Sequence, residues 1–139
     1  MRILEKWLRN ILKYRKQVQI VLSIGYICVI FYLTILSRNQ CDSKVFTGLF
    51  WEIKHQYWGD IRQNIFLFIP LGICLSEFRF SLVIGISLSI VIEIIQYYFR
   101  LGMCQIDDII NNSIGLVIGL IIMGIMSRIY QNIKFFQND

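Results

Sequence analysis

The sequence is poor in the residues that build flexible linkers, metal sites and disulfide-stabilised domains. It has one proline, nine glycines, four cysteines and a single histidine among 139 residues. Because so little proline and glycine leaves no stretch typical of a linker, we expect one domain spanning residues 1–139. One histidine, without a Cys-x-x-Cys pair, cannot supply a zinc site, so we expect no metal and no cofactor.

The cysteines also fail to form a disulfide framework. Cys28 and Cys74 lie inside apolar runs, where we interpret them as small hydrophobic residues. Cys41 and Cys104 are both expected outside the membrane, where a disulfide could join them. We favour the interpretation that both are free thiols.

Apolar residues are what the chain has in abundance. They make up 56% of the sequence, the mean hydropathy is +0.59, and the apolar runs are separated by short charged segments. This pattern is typical of an integral membrane protein and predicts an all-α fold, a four-transmembrane-helix bundle. The predicted spans are about residues 18–36, 62–75, 81–99 and 107–127. The second is short and contains Pro70, and we favour a full crossing over a re-entrant segment.

Two further segments flank the first predicted span. Residues 2–17 alternate apolar and basic residues at helical spacing, which predicts an N-terminal amphipathic basic helix on the inner leaflet. A basic flank that only orients the first span is an equally good interpretation. Residues 37–61 form the predicted extracytoplasmic loop, whose aromatic residues indicate a short helix at the membrane interface. We interpret His55 in that loop as a solvated residue rather than a catalytic base.

The placement of the basic residues predicts the topology. If both termini are cytoplasmic, nine of the fourteen lysines and arginines fall in inner segments and five in outer ones, which fits the positive-inside rule. The net charge of +5 gathers beside a hydrophobic span, so it indicates anionic lipid rather than nucleic acid. We therefore expect a multi-pass cell-membrane protein with membrane lipid as a partner and no nucleic acid; the oligomeric state is left open.

Two of the predicted spans carry polar stripes. Ser89, Glu93, Gln96 and Arg100 are spaced 4, 3 and 4 residues apart, so they share one face of the third span. Asp108, Asn112, Gly115 and Gly119 repeat that spacing in the fourth span. Burying a charge in a bilayer costs at least about 2.5 kcal/mol, so the carboxylate in the third span suggests the hypothesis of a functional site.

The predicted topology brings these stripes together in the outer half of the membrane. In the simplest assembly the third and fourth spans face each other, the glycine pair permits close packing, and Asn64 of the second span closes the third side. This predicts a polar pocket open to the outer leaflet. The predicted ligand-binding residues are Asn64, Glu93, Gln96, Arg100, Asp107, Asp108 and Asn112.

A purely structural interpretation of these residues also stands. For Ser89, Gln96 and Asn112, hydrogen bonds that only hold the helices together explain the pattern equally well. For Glu93, Asp107 and Asp108 we favour a functional role. The two aspartates can also be solvated acids at the positive start of a helix. Glu93 and Asp108 are the candidates if the site is catalytic.

The sequence around these stripes resembles the VanZ-like family of small bacterial membrane proteins. The motifs that carry the resemblance are Asn64-Ile-Phe-Leu-Phe-Ile-Pro70-Leu-Gly72, Ser89-x-x-x-Glu93-x-x-Gln96 and Ile106-Asp107-Asp108-Ile-Ile-x-Asn112-x-x-Gly115. The first acid of the family's last signature is Gln105 here, and the arginine that often precedes that acid has no nearer counterpart than Arg100.

The resemblance implies a link to reduced susceptibility to teicoplanin and related lipid-tailed glycopeptides, without implying a mechanism. One hypothesis is a binding protein whose outer-leaflet pocket holds an amphiphile, either the antibiotic or a lipid-linked cell-wall component. The alternative is a membrane-embedded enzyme that uses clustered carboxylates on a lipid-linked or glycolipid substrate. The absence of a Ser-His or Cys-His pair argues against the enzyme.

Overall fold

The computed structural model describes residues 15–40 and 45–136. The amphipathic helix predicted for residues 2–17 and the position of Cys41 therefore lie largely outside the described residues. The helices are α1 (Arg15–Phe31, continued by a π-helical segment, Tyr32–Leu36), α2 (Trp51–Lys54), α3 (Trp58–Leu75), α4 (Ser81–Phe99) and α5 (Ile106–Phe136). The two strands are β1 (Val45–Thr47) and β2 (Met103–Gln105).

Three helical segments of the described chain are long and apolar enough to cross a membrane. They are Gln17–Leu36, Ser81–Phe99 and Ile106–Asn132, with mean hydropathies of 2.2, 1.9 and 2.1. The chain is thus a mostly helical membrane protein. The helix α3 is 18 residues long but has Asp60 and Arg62 near its start, and it is not one of the three. The four-span count therefore stays a prediction.

The helix α1 runs antiparallel to α3. The Tyr26 hydroxyl donates to the Leu67 carbonyl at 2.9 Å, in the middle of α3. One turn earlier in α1, Ser23 Oγ donates to the Cys74 carbonyl at 3.2 Å, near the end of α3. Pro70 has no N–H to donate to the Phe66 carbonyl, and side-chain bonds from a neighbouring helix commonly stabilise a helix interrupted in this way.

The helices α3 and α5 run parallel and approach each other most closely. A Cβ on Gly115 would meet the Ile65 carbonyl, and one on Gly119 would meet the Ile69 carbonyl. Gly72 of α3 lies just as close to the backbone of α5. The close packing predicted from the glycine pair is present, but its partner is α3. The expectation that these glycines face α4 was wrong, because α4 meets α5 through side chains instead.

The bundle has a small apolar core. Its fully buried side chains are Ile30, Phe68, Leu71, Leu75, Ile92 and Leu116. Most other large apolar residues of the helices point outward, as Val21, Phe66 and Ile94 do. An apolar exterior suits lipid contact, where the hydrophobic effect does not hold helices together and close packing has that role.

The segment between α1 and α3 folds over the start of α5. Strand β1 pairs in parallel with β2, with Val45 opposite Met103 and Thr47 opposite Gln105. The turn from α4 into β2 passes through Gly102 at a φ of 154°, a conformation that glycine accommodates without strain. We call this end of the bundle, which carries β1, β2 and α2, the loop end. The interfacial helix indicated by the sequence is only the four residues of α2.

Candidate functional site

Three buried carboxyl groups meet beneath the loop end. Glu52 from α2, Glu93 from α4 and Asp108 from α5 are only 1%, 3% and 7% exposed. Asp108 interacts electrostatically with both glutamates, so the three form one interacting group. We call these three residues the carboxyl cluster. Such groups tolerate burial only when protons or donors share their charge.

Glu93 is held by the strand that follows its own helix. Its Oε2 accepts a hydrogen bond from the backbone N–H of Gln105 at 3.0 Å. Among the described residues, Arg38 is a cation whose charge acts on Glu93 and Asp108. The Arg38 guanidinium lies beside Gly102, in a space that a larger side chain would fill.

Asp107 anchors the loop rather than facing an open site. Its Oδ1 accepts from the Phe50 N–H at 2.7 Å and its Oδ2 from the Glu52 N–H at 3.0 Å. One turn further along α5, Asn111 Nδ2 donates to Glu52 Oε2 at 2.7 Å. Two adjacent side chains of α5 therefore hold α2 in place, and with it the Glu52 carboxyl.

The remaining predicted polar residues tie the helices together. Asn64 Nδ2 of α3 donates to Asp108 Oδ1. Asn112 Nδ2 donates to Ser89 Oγ at 2.9 Å, which joins α5 to α4. Gln96 Nε2 donates to the carbonyl of Thr34 at 2.9 Å, which joins α4 to the end of α1. Of the predicted set, Arg100 is the one that takes no part in this network; it is exposed at the end of α4.

The protonation of the cluster is set by its burial. Burial, followed by the charge of Asp108, raises the pKa of Glu52 from 4.5 to about 8. At neutral pH Glu52 therefore carries a proton, which it can donate to Asp108. No three His, Cys, Asp or Glu side chains of the described chain are placed to hold a metal ion.

The carboxyl cluster and the buried amide side chains near it include acceptors that have no donor in the described part of the chain. Among the described residues, buried oxygens without a donor include Glu52 Oε1, Gln96 Oε1, Gln105 Oε1 and Asn112 Oδ1. A buried acceptor left unpaired costs about 1–3 kcal/mol.

A groove of about 750 Å³ opens between α1 and α3, next to this network. Its apolar part is lined by Tyr26, Leu33, Phe66 and Leu67. Its polar part, toward the loop end, is lined by Thr34, Arg38, Arg62, Gln63 and Asn64. We call this the α1–α3 groove. Its volume lies within the range typical of small-molecule sites, about 300–1,000 Å³.

The structure adds several residues that the sequence did not single out. Glu52 is an acid in an aromatic loop, and no periodic pattern marks it as buried. Arg38 was counted only as an outer charge, whereas Arg62 was also expected near the three acids; both line the groove. Gln105 contributes a backbone N–H, which no side-chain pattern can reveal. One sequence pattern could have identified Arg38 as a candidate. It follows an uncharged span after a single residue, at the depth expected for a lipid headgroup.

Long apolar helices around a buried polar cluster, with a groove open on the outside of the bundle, define a small helical membrane protein. Comparison with known proteins agrees with this class. The chain belongs to the VanZ/LLP1 family, whose model matches residues 20–127. This confirms the resemblance carried by the three motifs.

A curated relative extends the comparison. The chain is 35% identical over 83 residues to Protein VanZ of Enterococcus faecium, a match that covers 50% of this chain and 49% of that protein. The chain thus matches about half the length of this relative. No solved structure is significantly similar to the chain.

Proposed function

We propose that this VanZ-family protein lowers susceptibility to teicoplanin-type lipoglycopeptides by binding an amphiphile in the α1–α3 groove, at the outer leaflet. The amphiphile is either the antibiotic or a lipid-linked cell-wall component. The observation that carries the proposal is the division of the groove. Its walls are apolar toward the middle of the bundle and polar toward the loop end.

An amphiphile fits this division. Leu33 and Phe66 are exposed beside the groove, so an acyl chain can enter from the surrounding lipid. The polar end then receives the head, where Gln63 and Asn64 offer amide groups and two arginines offer charge. The positive-inside rule puts the loop end outside the cell, which is the side on which a glycopeptide or a cell-wall lipid would be met.

The carboxyl cluster supports the groove from behind. Asn64 lines the groove and donates to Asp108, while Thr34 lines it and accepts from Gln96. Substitutions in the cluster would therefore change the groove wall without removing a ligand contact. On this proposal Asn64 meets the ligand directly, whereas Glu93, Gln96, Asp108 and Asn112 position the wall.

The enzymatic alternative depends on the carboxyl cluster itself. Three clustered carboxyls can act as general acid and base if substrate reaches them. Here the loop covers them, and Asn64 lies between Asp108 and the groove. Binding is the better-supported function, because the groove is open whereas the carboxyls are buried.

The test compares two substitutions to tryptophan at exposed apolar positions. Leu33 is 46% exposed and lines the groove, whereas Ile121 is 54% exposed and does not. Both variants are expressed in a teicoplanin-susceptible host at equal membrane abundance. We expect Leu33→Trp to abolish protection by filling the groove and Ile121→Trp to retain it.

A glycopeptide without a lipid tail serves as the second comparison in the same strains. The proposal expects little protection against it, because nothing would occupy the apolar part of the groove. Equal protection by Leu33→Trp and the unsubstituted protein would overturn the groove as the site. In that case the carboxyl cluster would become the stronger candidate.

A further inference from the structure

We propose that the head of the bound amphiphile is a phosphate ester, held between Arg38 and Arg62 at the polar end of the α1–α3 groove. This rests on the proposed function only in taking the groove as the binding site. It adds the chemical class of the ligand: an anionic, phosphate-bearing lipid rather than a neutral one.

The two arginines approach the groove from different elements. Arg38 follows the π-helical end of α1, and Arg62 lies in the second turn of α3. Both side chains are exposed, so neither guanidinium has been withdrawn into the protein. Two cations on opposite walls of one groove create a positive site that a single ligand head can bridge.

Arg62 is held in a position that leaves its binding atoms available. Its Nε donates to the Trp58 carbonyl, four residues earlier in α3, at 3.1 Å. This bond directs the side chain along its own helix, and the two terminal nitrogens stay available for an oxyanion. Guanidinium groups bind phosphate and carboxylate oxygens in pairs, which favours a planar, charge-assisted contact.

The start of α3 adds to the positive potential. Gly59, in the first turn of this 18-residue helix, also lines the groove. The first N–H groups of a helix have no partner within it, and the helix dipole favours an anion there. The start of this helix and two arginines therefore converge on one end of the groove.

The acidic side chains near the polar end of the groove do not line the site proposed for the anion. Asp60 is exposed in the first turn of α3 and does not line the groove. Glu93 and Asp108 lie behind Asn64, whose amide is directed at Asp108. Arg38 also interacts with Glu93 and Asp108, so it carries part of the cluster's charge, whereas Arg62 is free of that role.

A phosphate ester suits this site better than a carboxylate or a neutral head. It carries up to two negative charges and three acceptor oxygens, enough for two guanidiniums and a side-chain amide together. Gln63 lines the same end of the groove and can supply that amide. A neutral sugar or glycerol head would leave both guanidiniums without a counter-charge.

The experiment measures binding to the purified full chain in neutral detergent. The probes are 1-oleoyl lysophosphatidic acid, 1-oleoylglycerol and glycerol 3-phosphate, which separate the complete ligand, the lipid without phosphate and the head without lipid. We expect the phosphorylated lipid to bind about tenfold or more tightly than the neutral lipid, as charge-assisted contacts to two arginines require.

Substitution of the arginines then tests the contact. Arg62→Gln should remove most of the preference for the phosphorylated lipid and leave binding of 1-oleoylglycerol unchanged, while Arg62→Lys should restore part of it. Arg38→Gln should act in the same direction. Lys54→Gln and Arg79→Gln, which remove exposed charges outside the groove, are the matched controls.

Each outcome that contradicts the proposal contradicts a different part of it. Equal binding of the phosphorylated and neutral lipids would overturn the phosphate proposal while leaving an amphiphile site intact. If glycerol 3-phosphate bound as tightly as the phosphorylated lipid, the claim that the ligand is a lipid would be overturned. The site would then bind a free phosphate ester. Binding of none of the three probes would count against the groove as an amphiphile site and thus against the proposed function as well.

Discussion

The two halves of this small bundle are held together in opposite ways. Away from the loop end, α3 and α5 touch backbone to backbone through glycines, beside a small apolar core. At the loop end, carboxyls, amides and backbone N–H groups hold α2, α4 and α5 together. The glycine contact leaves no room for an added side-chain atom, whereas the polar contacts depend on donors and acceptors being paired. The first half is therefore sensitive to added volume and the second to the loss of a polar group.

The largest expected effect comes from adding one methyl group to the glycine contact. Gly119→Ala would direct a Cβ at the Ile69 carbonyl, and backbone cannot move aside as a side chain can. We expect a loss of unfolding free energy of about 3 kcal/mol, the upper end for overpacking. Circular dichroism during titration with a denaturing detergent measures it.

Gly124→Ala is the matched control for that substitution. It lies in the same helix, and a Cβ there would meet nothing within 4 Å. We expect no loss of stability from it, since alanine favours a helix more than glycine does. Similar losses in both variants would show that helix propensity or lipid contact, rather than the α3–α5 approach, sets the stability.

A smaller, local effect is expected when the loop loses its anchor. Asp107→Ala leaves the N–H groups of Phe50 and Glu52 without acceptors, at a cost of about 1–3 kcal/mol. The loop end should open while the helices stay folded. Limited proteolysis should therefore cut faster between residues 45 and 57, with unchanged helical circular dichroism.

The control for the anchor is Asp60→Ala, which removes an exposed acid close to the same loop. Its proteolysis rate should match that of the unsubstituted protein. If both variants were cut equally slowly, the strand pair and Asn111 would be sufficient to hold the loop, and Asp107 would return to the set of candidate ligand residues.

The smallest effect is a pH dependence of loop docking through Glu52. Its pKa is raised from 4.5 to about 8, so the folded state binds a proton that the unfolded state has lost. This contribution to stability is complete below about pH 4.5 and is lost as the pH rises through 8. Glu52→Gln mimics the protonated form, so its stability should fall less over that interval than that of the unsubstituted protein.

Thermal unfolding of both proteins between pH 5 and 9 measures this contribution. The difference between the two curves isolates Glu52 from the other titrating groups, provided that the substitution leaves the fold intact. Parallel curves would mean that another member of the carboxyl cluster holds the proton at neutral pH.

The sequence located the helices and the faces that carry chemistry, because both follow from local periodicity. Glu93, Gln96 and Asp108 do lie in one buried network, and an apolar helix occupies each predicted span region, with α3 beginning before residue 62. A spacing of four, three and four residues puts side chains on one helix face whatever the helix packs against. The family motifs rest on the same local patterns.

Other features depended on contacts between residues distant in sequence. Glu52 became a member of the carboxyl cluster only because Asp107 and Asn111 capture α2, more than 50 positions away. Gly115 and Gly119 predicted close packing but could not specify α3 as the partner, since any helix can approach a glycine face.

By itself, the sequence determined that this is an apolar, helical protein with polar stripes in two of its helices, because hydrophobic runs and helical period are properties of short stretches. Only the tertiary structure decided that the acids are covered while the arginines line an open groove. That outcome depends on the antiparallel packing of α1 against α3 and on the parallel pairing of β1 with β2. Both bring together segments that no local pattern relates.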